Sequence, residues 1–319
     1  MPDTTPISGT SHLLRAGAYE ASVASVGASL RSLTYAGRDL VVPFDADQVR
    51  PAYRGATLAP WPNRVVDGRY TFAGVDHQLA LTEPARGHAL HGLAAWLEFD
   101  AVDKGSDHLE LTAVIEPQAG YPWRVRVSTR FTLGPDGLTQ CVQARNESDA
   151  AAPFGTGPHP YLVAGPGRVD EWTLLLPASE VLLVTEDRLA PTVLRPVEVA
   201  DAERFDYRAP RRIGAAQIDH AYTALGRDDE GVATVRVTDA SGSGVEMAWD
   251  AACPWVQVHT ADLAGGVGQA GHRAGLAVEP MTCAPDAFNA DRYPFDAGLL
   301  VIAPGESASA SWRIGAVSA

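Results

Sequence analysis

The residues best suited to chemistry fall in five short polar segments between apolar runs: APWPNRVVDGRY, RGHALHGLAAW, FGTGPHPYL, QIDHAYT and LAVEPMTCAPDAFN. In LAVEP, Glu279 closes an apolar strand just before Pro280. Partial burial there raises a carboxyl pKa toward neutrality and makes a usable general base, whereas a solvated strand-end glutamate is the plain alternative. His159 stands between two prolines after a glycine-rich approach, so its backbone is restricted and its imidazole is held in one direction. An imidazole titrates around neutral pH and suits a general acid, against the ordinary alternative of a satisfied structural histidine. Arg64, directly after Asn63, offers a fork of donors for hydroxyls or a carboxylate. In PWVQVHT, Trp255, Gln257 and His259 share one side of a strand and Val256, Val258 and Thr260 the other. An indole beside amide and imidazole groups lines a sugar site, unless Trp255 is simply core. His88 and His91, three apart, lack the HExxH, HxH or cysteine-pair context of a metal centre, so no metal site is expected.

These groups must be positioned by strands. In WRVRVSTRFTL, Trp123, Val125, Val127, Thr129, Phe131 and Leu133 alternate with polar residues, the period of a half-buried strand. GPDG then turns the chain into LTQCVQARN as a hairpin partner. Leu109 to Ile115, Ala233 to Val237, Val245 to Trp249 and Ala308 to Ile314 repeat the alternation. DAERFDY allows a helical turn or two, but no succession of strands and long helices is present. The pattern predicts an all-β chain, one large antiparallel β-sandwich.

The 319 residues carry 25 Lys and Arg against 39 Asp and Glu, a net charge of 25 − 39 = −14, which opposes binding to nucleic acid or to an anionic membrane. With 46% hydrophobic residues a packed core is expected, and no linker or low-complexity block divides residues 1–319, so one domain is expected. Cys141, Cys253 and Cys283 form no CxxC pair and read as free core thiols of a reducing compartment. No basic leader with an apolar block and no 18-residue apolar run occurs, so a soluble cytoplasmic protein is expected.

Taken in order, the segments resemble the aldose 1-epimerase family, the galactose mutarotases. The matching elements are Asn63 and Arg64 followed by DGRYTFAG, the LHG of His91, the HPY of His159 to Tyr161, the Asp219 of IDHAYT, the QVHT of Gln257, and LAVEPMTCAPDAFN with Glu279. LHGLAAW in place of LHGG, and the aromatic approach APWPNR, are similar to a less characterised bacterial branch. The resemblance implies a β-sandwich with an open sugar groove, no cofactor and no metal. It makes Glu279 the base and His159 the acid, with Asn63, Arg64, His91, Tyr161, Asp219, Trp255 and Gln257 contacting the substrate.

Anomer exchange requires the C1 hydroxyl to lose a proton while the ring oxygen gains one, with both transfers reversed after rotation about C1–C2. That cycle predicts a raised pKa for Glu279 and an ordinary or slightly raised one for His159. The expected partner is a small sugar, the chain being a monomer or homodimer. A hexose 6-phosphate 1-epimerase would need further cations at the groove, and a carbohydrate-binding protein would need no acid and base together.

Overall fold

The computed structural model describes residues 5–319. Its alternating sequences form two large antiparallel sheets. The first has nine strands in the order Asp100–Lys104, His108–Ile115, Val125–Gly134, Gly137–Asn146, Ser307–Val317, Gly244–Trp249, Ala233–Thr238, Thr173–Leu175 and Arg211–Arg212. Strict alternation sends Leu109, Leu111, Val125, Val127, Phe131, Leu138 and Val142 inward. The residues between them, among them Arg130, which pairs with Asp103 and Glu110, face solvent. The GPDG turn joins its flanking strands with Gly134 opposite Gly137.

The second sheet has six strands, Tyr161–Leu162, Leu276–Met281, Trp255–His259, Asp219–Leu225, Ala178–Val184 and Pro191–Pro196. One of its faces, with Val181, Tyr222, Val256, Val258, Leu276 and Val278, joins the inward residues of the nine-stranded sheet in a single apolar cluster that runs from Leu14 to Ile314. Burial of this apolar area is the main force holding the two sheets together.

The other face is set by register. Tyr161 lies opposite Ala277, Ala277 opposite His259, and His259 opposite Asp219. Two residues along, Glu279 lies opposite Gln257 and Gln257 opposite Ala221. Because side chains alternate with period two, both rows project from the same side, away from the main core. Glu279 thus sits inside its strand, before Pro280 and Met281, rather than at its end. Two short ladders, Arg64–Val66 with His88–Leu90 and Thr57–Leu58 with Gly157–Pro158, carry loop residues to this face, and a separate four-stranded sheet spans Ser11 to Asp39.

Helix is scarce. The predicted turn or two at DAERFDY overlaps the second half of Val197–Phe205, a short helix interrupted at Asp201, and Asp206 and Tyr207 lie beyond its end. Among the described residues no helix is long and apolar enough to cross a membrane. All three cysteines are free, but Cys141 departs from the expected core position: it falls on an outward position of the alternating Gly137–Asn146 strand and is exposed, while Cys253 and Cys283 are buried.

Polar residues interrupt the inward face, Gln140 and Thr129 among them. Buried Gln140 donates to Thr57 Oγ1 (2.9 Å) and Thr129 Oγ1 (3.1 Å) and accepts from Trp312 Nε1 (3.1 Å), tying the nine-stranded sheet to the strand that pairs just ahead of His159. Replacing Gln140 by Leu leaves the Trp312 N–H without an acceptor, and it is expected to destabilise the fold by about 1–3 kcal/mol, read as a lowered urea midpoint.

Candidate active site

At the meeting of the two outer rows with the covering loops lies a cleft of about 340 Å³, lined by Tyr53, Asn63, Arg64, Glu83, Arg86, His91, His159, Tyr161, Asp219, His259, Asp262 and Glu279. On its floor Glu279 Oε1 is 3.5 Å from His159 Nε2. Both side chains are almost wholly buried, and Glu279 Oε2 and His159 Nδ1 have no hydrogen-bond partner. Burial, reinforced by the nearby Asp219 charge and only partly offset by Arg64, pushes the Glu279 carboxyl well above its ordinary range.

His159 departs from expectation. Burial, with His259 and Arg50 adding to it, lowers its pKa to about 3 rather than leaving it near neutral. Each group therefore prefers its uncharged form in this dry setting, the carboxyl protonated and the imidazole neutral.

The remaining polar groups of the cleft are fixed by partners of their own. Arg64 grips Glu83 with two bonds, Nε to Oε2 (2.7 Å) and Nη2 to Oε1 (3.0 Å), and Arg86 adds a third to Oε1 (2.8 Å). Desolvation of Arg64 is outweighed by this paired carboxylate, which keeps the guanidinium charged. Asp219 accepts from Gln257 Nε2 (2.6 Å) and lies 3.9 Å from His259. Burial raises the Asp219 carboxyl, but His259, Arg64 and the Gln257 bond together hold it below its ordinary range. Tyr161 donates to Ala52 O (3.3 Å) and stacks on His159 at 5.2 Å.

Asn63 and His91 hold one another. The Asn63 N–H donates to His91 Nδ1 (3.2 Å), and the His91 N–H donates to Asn63 O (2.8 Å). Both adopt left-handed backbone conformations, φ 53° and 60°, a strain that non-glycine residues keep only where the surroundings enforce it. Gly92 follows with φ 72°, and a Cβ there would lie 2.2 Å from Ala59 O, so LHG requires its glycine.

Ligand atoms of His91, His159 and Glu279 lie within 4.8 Å of one another, a geometry that invites comparison with a metal centre. The chemistry of His91 argues otherwise. With Nδ1 accepting from Asn63, a neutral imidazole carries its proton on Nε2, and the remaining nitrogen donates to oxygen rather than binding a cation. His88 is a strut outside the cleft: Nδ1 accepts from the Asp67 N–H (3.3 Å) and Nε2 donates to Arg188 O (2.9 Å).

Two residues read from sequence as sugar contacts do not line the cleft. Trp255 shares the outer face with Gln257 but one step further along, where it packs with Met281, Cys283 and Phe295 in a separate apolar cluster, so its indole is core. Gln257 lies beneath the cleft as the support of Asp219.

Glu83, Tyr53, Arg86 and Asp262 line the cleft without having been singled out. Asp286 acts from behind it. Its N–H donates to Arg64 O (2.7 Å), Oδ1 accepts from the Val66 N–H and Asn289 Nδ2 (both 2.8 Å), and Oδ2 accepts from Tyr293 OH (2.6 Å). Asn289 also donates to Arg69 O (2.8 Å). The turn after Glu279 therefore pins the strand that carries Arg64 at two points, Arg64 O and the Val66 N–H, and the strand that follows it at a third, Arg69 O. Asp286→Ala strands several buried donors and is expected to cost about 2–4 kcal/mol in urea unfolding, with Tyr293→Phe costing about 1 kcal/mol; equal costs would show that the carboxylate is not the hub.

Residues 10–315 match the family model for aldose 1-epimerase. The uncharacterized protein YihR of Escherichia coli K12 is 35% identical over 283 residues, 88% of this chain and 87% of that protein. The fold is shared with an aldose epimerase homologue from C. elegans (TM-score 0.79, 19% identity, 97% of this chain and 100% of that one). It is also shared with galactose 1-epimerase from Lactobacillus acidophilus (TM-score 0.75, 18% identity, 94% and 92%). Matched along nearly its whole length and folded as these relatives are, the chain belongs to the aldose 1-epimerase family.

Proposed function

We propose that this chain is an aldose 1-epimerase that interconverts the α and β anomers of a free hexose or related aldose. The observation that carries this reading is the buried Glu279–His159 contact at 3.5 Å, an acid and a base close enough to share a proton. Simple sugar binding has no use for such a pair, whereas anomer exchange needs one proton removed from O1 and one delivered to the ring oxygen.

In the ligand-free cleft the shared proton resides on Glu279. When the O1 hydroxyl of a sugar donates to this carboxyl, the carboxylate form is stabilised and the proton passes to His159 without any change in the number of protons held. Glu279 then takes the O1 proton as His159 protonates the ring oxygen, the C1–O5 bond breaks, and the open-chain aldehyde forms. After rotation about C1–C2 the transfers reverse and the ring closes on the other face. Arg64, Asn63, His91, Tyr161 and Asp219 hold the other hydroxyls, and each is fixed before the sugar arrives, which lowers the entropy lost in orienting it. His91 Nε2–H and Arg64 donate, while Asp219 accepts, a division suited to hydroxyls of a neutral sugar.

Polarimetry or NMR of freshly dissolved α-anomers should show faster equilibration than in buffer for at least one aldose, and no acceleration across a broad panel would sink this reading. Glu279→Gln, which cannot exchange a proton, is expected to lower kcat by roughly 10²–10⁴ with sugar binding retained, and His159→Asn likewise.

The pair must hold one proton to work. Activity is therefore expected to stay level through the range where a free histidine titrates, to fall in acid as His159 gains a second proton near its pKa of about 3, and to fall in alkali as the raised Glu279 ionises. An acid limb centred near 6.5 would contradict this. The lowered His159 pKa also bears on folding. Its contribution to stability is full above the unfolded value of 6.5 and is lost as pH falls toward about 3, so circular dichroism at each pH separates titration from unfolding.

A further inference from the structure

One buried guanidinium takes no part in the proton transfers, yet it is bonded into the segments that support both imidazoles of the cleft. Arg50 is 4% exposed, and among the described residues no carboxylate pairs with it. Nη1 donates to Val26 O (3.2 Å) and Ser29 Oγ, and Nη2 donates to Ala95 O (2.6 Å). The guanidinium lies over the Trp96 ring at 4.5 Å. Gly27 leaves room for it: with φ 67°, a Cβ there would stand 2.7 Å from Arg50 Nη1 and 2.3 Å from Ala95 O. Burial lowers the Arg50 pKa only to about 10, so the cation persists through the neutral range. A desolvated, unpaired cation is costly, and a neutral donor would satisfy the same acceptors at lower cost. What the charge adds is a field at His91 and His159 that disfavours their protonated forms.

The bonds of Arg50 join the supports of the acid–base pair. Arg50 immediately precedes the short turn Pro51–Tyr53. Just after that turn the Gly55 N–H donates to His159 O (2.8 Å), and the His159 N–H donates to Ala56 O (3.1 Å). Ala52 O accepts from Tyr161 OH, whose ring stacks on His159 at 5.2 Å, and the Tyr53 ring lies 4.6 Å from His91 and 6.3 Å from His159. Residues 52–56 therefore hold both backbone groups of His159 and supply or anchor the two tyrosines beside its ring. Ala95, the acceptor of Nη2, lies four residues after His91 in the turn Ala94–Trp96. Ser29 opens the third strand of the four-stranded sheet. One guanidinium thus ties the segment that holds His159 to the segment that carries His91, and both to that sheet.

Resting on the aldose reading of the cleft, we propose that Arg50 is a positioning residue of the acid–base pair, which holds the two imidazole-bearing segments together and sets the electrostatic potential in which His159 works. The charged and titratable groups around His159 are Glu279, Asp219 and His259 from the six-stranded sheet, Tyr161, Tyr53, His91 and Arg50. Asp219 favours the imidazolium and Arg50 opposes it, so the guanidinium makes protonated His159 a stronger donor toward the ring oxygen.

The test replaces Arg50 by Lys, which keeps the charge without the planar fork, and by Met, which keeps neither. Exchange NMR with an aldose that the wild type accelerates gives kcat and KM across pH. NMR of ring-labelled histidine follows His159 without sugar, and circular dichroism checks the fold at each pH. In Arg50→Met, kcat is expected to fall about tenfold or more with a smaller change in KM. Its acid limb and its His159 titration are both expected to move up by about half a pH unit or more, while Arg50→Lys keeps both near the wild-type position and recovers part of kcat. A folded Arg50→Met in which limb and titration stay in place overturns the proposal whatever its kcat, because a merely structural role would lower kcat without moving them. If Arg50→Met does not fold, Arg50→Gln, uncharged but still a donor, is read by the same two outcomes. If the wild type accelerates no sugar, the mutarotase reading fails and the His159 titration alone decides: an upward move on loss of the Arg50 charge supports the proposal, and no move overturns it.

Discussion

A carboxyl and an imidazole buried side by side cannot be treated as independent titrating groups. Taken out of water, each disfavours its own charge, and at 3.5 Å neither can change charge without the other feeling it. The surrounding structure answers this constraint. Asp219 adds negative potential that keeps the proton on Glu279, while Arg64 moderates the effect so that the carboxylate remains within reach. Arg64 is kept charged by Glu83, and Asp219 by His259 and Gln257. The electrostatics of the floor thus depend on charges that are themselves held by partners.

Positioning follows the same logic at the level of the backbone. The floor is a β-sheet face, the most rigid platform the fold offers, and the walls are loops tied to it. The strand carrying Arg64 is held on one side by His88–Leu90 and on the other by Asp286, while Asn289 holds the strand that follows it at Arg69 O. Local strain at Ala52, Tyr53, Asn63 and His91 gathers around the cleft, where the covering loops must turn sharply to aim side chains inward.

Much of this was legible in the residues alone. The period-two runs of Leu109 to Ile115 and Val125 to Leu133 reported their strands because one face is dry and the other wet. The split of Val256 and Val258 from Gln257 and His259 reported the two faces of the second sheet. Other features leave no such trace. Glu83 and Asp286 matter through partners 19 and 220 positions away, a pairing that only the folded chain creates. The His159 pKa depends on how completely it is enclosed, and Trp255 differs from a cleft residue only by its place along a strand. Cys141 is exposed because it falls on the wet phase of its alternation.

The two rows that face the cleft share their strands with the core, and the two uses are out of phase by a single residue. Length and composition can therefore vary under different rules. A one-residue insertion or deletion in Trp255–His259 or Leu276–Met281 would turn Gln257, His259 or Glu279 toward the apolar interior and valines toward the sugar, so it would remove the core and the chemistry together. Substitutions can be sampled one position at a time, but changes in length are confined to the connections, such as the glycine-rich stretch 263–275 between these strands. Within the family, divergence in that connection is a natural place for the groove to acquire new neighbours while its floor stays in register.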